Sequence, residues 1–103
     1  MSGMFFNCSN LINLDISNFK TNKVKNMREM FQNCSKLTNL NLSNFNTENV
    51  NNMIGMFGNC SNLINLDINN FKTNKVKNMF GMFLNCLFYN YETFFLQIVH
   101  FQY

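Results

Sequence analysis

The chain has 103 residues, a net charge of +3, an apolar fraction of 47% and neither proline nor tryptophan. That length fits one small domain and that apolar content argues against wholesale disorder, while so modest a charge does not by itself imply a polyanionic partner. The N-terminus lacks a basic segment followed by an apolar run, so no secretory signal is legible. The most apolar stretch, 84–103, is interrupted by Asn85, Asn90, Glu92, Gln97 and His100 and does not reach the roughly 20 predominantly apolar residues of a membrane span.

From the N-terminus, Met1–Cys8 (MSGMFFNC) follows the pattern of Met27–Cys34 (MREMFQNC), so the chain opens partway through a unit. Cys8, Cys34, Cys60 and Cys86 then recur at intervals of 26 residues in matching contexts. After the partial unit 1–7, complete units occupy 8–33, 34–59 and 60–85, and self-similarity at such a period signals a solenoid whose units bury their apolar faces against one another.

Within the first unit Leu11, Leu14 and Ile16 form L-x-x-L-x-I, and alternation sends Leu14 and Ile16 inward and Asn13, Asp15 and Ser17 outward. This predicts a short strand, repeated at Leu37, Leu40 and Leu42 and at Leu63, Leu66 and Ile68. Phe19, Phe45 and Phe71 follow a turn and are expected to stack. Thr21, Thr47 and Thr73 stand where helix N-caps would. Val24, Met27, Met30, Phe31 and Cys34 then recur at three and four residues, which predicts a short helix ending at Asn33, a residue type that tolerates the left-handed conformation. The expected fold is an α/β solenoid, a short leucine-rich repeat array over 1–86, with parallel strands on the concave face and short helices on the convex face.

Carried by L-x-x-L-D-[IL]-S-x-F-x-T-x-x-V-x-x-M-x-x-M-F-x-x-C from Leu11 to Cys34, the chain resembles BspA-like leucine-rich repeat surface proteins, whose repeats also occur in bacterial surface lipoproteins. The pattern departs at Asn41, where aspartate is usual, at Asn69, where serine is usual, and after Cys86. The resemblance implies adhesion or host contact and a cell-surface or extracellular place. The break after Cys86 fits a piece of a longer array or a degenerate paralogue; the other reading of 87–103 is a divergent C-terminal cap.

The candidate ligand surface is the outward ledge of the strands: Asn13, Asp15 and Ser17; Asn39, Asn41 and Ser43; Asn65, Asp67 and Asn69. Such a repeated face suits a protein ligand, and the open ends of an array suit self-association. One cysteine per unit lacks the paired spacing of zinc sites and reads as a ladder of buried thiols, with disulfides between adjacent units as the alternative. No metal or cofactor is expected. Met27, Met30, Met53, Met56, Met79 and Met82 read as core filling rather than as a soft binding surface. Lys20, Lys23 and Lys25 recur as Lys72, Lys75 and Lys77, but in the middle unit Asn46, Glu48 and Asn52 (or Asn51) replace the cations, so a solvated loop face is expected and no nucleic-acid partner.

Asn7, Asn33, Asn41 and Asn59 open N-x-Ser sequons, three of them at the expected helix exit. His100 is the one histidine, and with no base partner or carboxylate pair at useful spacing no hydrolytic or transfer mechanism assembles, so the chain is not expected to be an enzyme. Phe94–Phe101 is uncharged and β-prone, an aggregation hazard or a cover for the last unit. Three units are near the minimum for a stable array, which predicts a cooperative thermal midpoint no higher than about 65 °C.

Overall fold

Leu14, Leu40 and Leu66 point inward between polar neighbours, and this alternation is what lets short extended segments lie in parallel, one per repeat. The computed structural model describes residues 1–86. It contains two strands, β1 (Asn39–Asn41) and β2 (Asn65–Asp67), each with its outer residues exposed and its central leucine buried. They pair in parallel with Asn39 opposite Asn65, Leu40 opposite Leu66 and Asn41 opposite Asp67. An isolated parallel bridge between Asn13 and Asn39 brings the first repeat alongside, and bridges joining Asn26 to Asn52 and Asn52 to Asn78 form a second ladder. Equivalent residues of successive repeats are thus neighbours in space.

Beyond Asn26 the chain does not form the expected helix. The main-chain N–H groups of Met27, Glu29, Phe31 and Asn33 donate sideways, to the carbonyls of Asn52, Ile54, Met56 and Gly58 in the next repeat at 2.9, 2.7, 2.9 and 2.8 Å. The N–H groups between them, of Met30, Gln32 and Cys34, donate back three residues to Met27, Glu29 and Phe31. The segment is a run of turns in which every second donor finds its acceptor in the neighbouring repeat, so a ladder of i to i−4 bonds cannot close. Left-handed residues drive the alternation: Gly3, Glu29, Gly55 and Gly81 have φ of 63°, 55°, 60° and 65°, and Asn7, Asn33, Asn59 and Asn85 have φ of 62°, 64°, 58° and 60°. Asparagine does adopt the conformation expected of it, but it closes a turn instead of leaving a helix.

The interior is built from columns. Met27, Met30, Cys34, Leu37, Leu42, Val50, Met53, Met56, Cys60 and Leu63 are fully buried in one apolar cluster, the burial that drives the turns and strands together. Phe5, Phe31, Phe57 and Phe83 stack face to face, with successive ring centroids 5.5, 5.7 and 5.5 Å apart and interplanar angles of 6°, 2° and 11°. The stacking is therefore in this column. Of the column expected to stack, Phe45 and Phe71 are buried, and Phe19 is half-buried and tilted against Phe5.

Nor do the threonines cap helices. Thr21 and Thr47 are buried and reach the next repeat instead: Thr47 Oγ1 donates to the Lys72 carbonyl and accepts from its N–H, and Thr21 does the same with Asn46. His100 and Phe94–Phe101 lie outside the described residues, as does the whole of 87–103.

Candidate functional site

All nine ledge residues are exposed. The parallel pairing holds Asn13, Asn39 and Asn65 side by side, and Asn65 Nδ2 donates to Asn39 Oδ1. In the next column Asn41 faces Asp67, with Asp15 at the matching position of the first repeat. Each residue of this second column makes a local bond: Asp15, Asn41 and Asp67 accept through Oδ1 from the N–H of Ser17, Ser43 and Asn69 at 3.0, 2.9 and 3.2 Å. These are Asx-turns, in which a short side chain ends the strand by capturing a donor two residues on. The Ser17 N–H, with a smaller share from its hydroxyl, holds the Asp15 carboxyl below the usual carboxylate range. Oδ1 of each side chain is therefore a turn-former, and the second oxygen of Asp15 and Asp67 and the Nδ2 of Asn41 are left for solvent or a partner.

Leu40, Leu66 and the exposed Ile64 join Asn39, Asn41, Asn65 and Asp67 around an open depression over both strands. Ile12 is also exposed, while Thr38 holds the same place in the middle repeat. Sequence reasoning passed over these isoleucines because they occupy an unassigned position of L-x-x-L; the signal was their recurrence two periods apart.

A second polar surface went unrecognised as such. Asn33, Asn59 and Asn85 donate through Nδ2 to Oδ1 of Asn7, Asn33 and Asn59 at 2.7, 2.8 and 2.8 Å, an amide ladder that crosses every repeat. Together with Ser9, Ser35 and Ser61 these asparagines line a shallow groove. The repeated Asn-Cys-Ser triplet was its signature. At Asn33 and Asn59 the nitrogen that a glycan would occupy is already donated within the ladder, so attachment there would break it. Asn41, the fourth sequon, spends only its oxygen.

All four cysteines are free thiols. Cys34, Cys60 and Cys86 point Sγ at the carbonyls of Phe5, Phe31 and Phe57, at 3.2, 3.1 and 2.8 Å. Burial first, then the neighbouring thiol Cys8, raises Cys34 to about 11; burial raises Cys86 to about 11 and Cys60 further still. Thiols held protonated by burial are poor nucleophiles and poor ligands. Among the described residues no three of His, Cys, Asp and Glu come together as metal ligands would, and no helix is long and apolar enough to cross a membrane.

No curated protein and no solved structure matches the chain. The family model described as "Mycoplasma protein of unknown function, DUF285" matches residues 1–99, and the chain belongs to that family.

Proposed function

We propose that the chain is a non-catalytic protein-interaction module, part of a cell-surface or adhesion-type protein of the BspA-like leucine-rich repeat kind. In this reading 1–86 is a short solenoid array, 87–103 its divergent tail or cap, and the ligand lies along the ledge of Asn13, Asp15, Ser17, Asn39, Asn41, Ser43, Asn65, Asp67 and Asn69. What supports it is the exposure of all nine side chains, with Asn39 and Asn41 in register with Asn65 and Asp67 on parallel strands and Asn13 bridged to Asn39, next to exposed Ile12 and Ile64. Polar groups that fix orientation around a few apolar contacts are what a protein partner requires.

The test must spare the turns. Asp15→Asn with Asp67→Asn keeps an oxygen to accept each main-chain donor and removes only charge, and Asn13→Ala with Asn39→Ala alters the neighbouring column. Peptides selected from a random display library on the native chain should be rich in Lys and Arg, and should lose about tenfold in affinity for the charge-neutral variant. Affinity unchanged by both sets of substitutions would refute the ledge. A purely structural remnant is the rival reading, favoured by the number of asparagine side chains already spent between repeats, as at Asn44, Asn49 and Asn70. It predicts that no peptide is selected above background.

A further inference from the structure

A further face, built from the segments that follow the ledge strands, gathers the cations. The main chain holds Lys25, Asn51 and Lys77 side by side, Asn51 N–H donating to the Lys25 carbonyl at 2.8 Å and Lys77 N–H to the Asn51 carbonyl at 2.9 Å. Beside them Asn49 takes the place between Lys23 and Lys75: its Nδ2 donates to the Asn22 carbonyl at 2.8 Å, and its Oδ1 accepts from Lys75 Nζ at 3.0 Å. Lys20 and Lys72 flank Asn46, whose main chain is clipped by Thr21 as that of Lys72 is by Thr47. All six lysines are exposed, and the ion pair found among the described residues, Arg28 with Glu29, involves none of them. Lys25, Lys75 and Lys77, with Asn49, Asn51, Asn74 and Val76, line an open depression drawn from all three repeats. Glu48, exposed in the same turn as Asn49, is the one carboxylate of this segment.

We infer that this corner binds an acidic polysaccharide, with sulfate or carboxylate groups taken by the lysines of the first and third repeats and hydroxyls by the amides of the middle repeat. Adjacent parallel segments lie about 4.8 Å apart, so lysines two repeats apart are separated by roughly 10 Å. That is about the screening length at physiological salt, so their mutual repulsion is weak while one extended chain spans both. Between them the Asn51 amide offers a donor and an acceptor, and the Asn49 amide, already bonded to Asn22 and Lys75, keeps its second N–H and its second oxygen lone pair, the chemistry that sugar hydroxyls use. Lysine-rich hexads such as Lys20–Lys25 and Lys72–Lys77 are a heparin-type signature as well as a nucleic-acid one. The lining discriminates between them: it has no aromatic face on which a base could stack and, apart from Val76, no apolar side chain to enter a lipid surface.

The full chain, titrated with heparin over a salt series, should bind with an affinity that falls as salt rises. Lys25→Gln with Lys75→Gln and Lys77→Gln should weaken binding by about tenfold or more, whereas Arg28→Gln with Lys36→Gln, cations outside the corner, should leave it within about twofold. Glu48→Gln should tighten it, a gain that unfolding cannot imitate. Equal weakening by the corner and control variants would reduce the effect to net charge and overturn the assignment. Binding to single-stranded DNA or to phosphatidylserine vesicles as tight as to heparin would overturn the polysaccharide class.

Discussion

Thr47 closes a two-way clip on Lys72: its hydroxyl donates to the Lys72 carbonyl and accepts from the Lys72 N–H, both at 2.8 Å. Thr73, at the same place one repeat on, is 8% exposed and its Oγ1 has no hydrogen-bond partner among the described residues. The pair makes an internal control. Thr47→Val should destabilise by about 1–3 kcal/mol, because two main-chain groups of Lys72 lose their partner. Thr73→Val removes a buried hydroxyl that makes no bond among the described residues, and should be neutral or stabilising. Urea denaturation of both variants checks this; equal losses would show that the clip contributes nothing.

The amide ladder and the left-handed turn can be separated at Asn59, which has φ of 58° and is bonded through its side chain to both Asn33 and Asn85. Asn59→Gly keeps the backbone and removes the ladder bonds, with an expected loss of about 1 kcal/mol. Asn59→Ala should lose about 1–2 kcal/mol more, since alanine resists positive φ. Thermal melts showing the two variants alike would mean that backbone conformation is not limiting there.

Glu29 stands at φ 55° in a column otherwise occupied by Gly3, Gly55 and Gly81. Glu29→Gly relieves that strain but gives up an exposed ion pair with Arg28 and adds freedom to the unfolded chain, so the net effect should be a gain of no more than about 1 kcal/mol. Gly55→Ala should do the reverse and cost about 1–2 kcal/mol. Its φ is 60°, and a Cβ there would meet Gln32 Oε1 and Glu29 Cγ at 3.4 Å. A stabilised Gly55→Ala variant would contradict the left-handed assignment.

Because burial raises Cys34, Cys60 and Cys86, these thiols stay protonated in the folded chain at pH values where they ionise in the unfolded one. Proton binding is then greater in the native state, so stability is fully present below about pH 9 and falls as pH rises from there toward about 11, the folded value of Cys34 and Cys86. The thermal midpoint should hold up to about pH 8.5 and decline above it. Alkylation at pH 8 should be slow at Cys34 and Cys60 until denaturant is added, when all four thiols react; fewer than four would reveal a disulfide.

Much of the interior was legible because buried positions repeat: Leu40, Leu66, Met30, Met53 and Cys60 were each assigned inward from spacing, and they are buried. The helix was misread for a physical reason. Val24, Met27, Met30, Phe31 and Cys34 recur at three and four residues in consecutive turns as they would on a helix, and spacing alone does not distinguish the two. The clue lay in Gly3, Gly55 and Gly81, which fall in one column at the middle of the supposed helix, where glycine is unfavourable by about 1 kcal/mol. Glu29 hid it in the first repeat. On the ledge, the outward direction of the nine residues was readable from alternation; the turn-forming role of Asp15, Asn41 and Asp67 was not, because it depends on a bond to a main-chain donor two residues on.

The amide ladder has a polarity: every nitrogen from Asn33 to Asn85 donates to the oxygen of the residue 26 positions earlier. A gene that gains or loses one whole unit therefore leaves each rung with a partner of the same kind, whereas a single inserted codon breaks the 26-residue spacing of every amide, thiol and glycine pair that spans it. Evolution can lengthen or shorten such a chain in steps of one unit, but has little freedom to edit within a step.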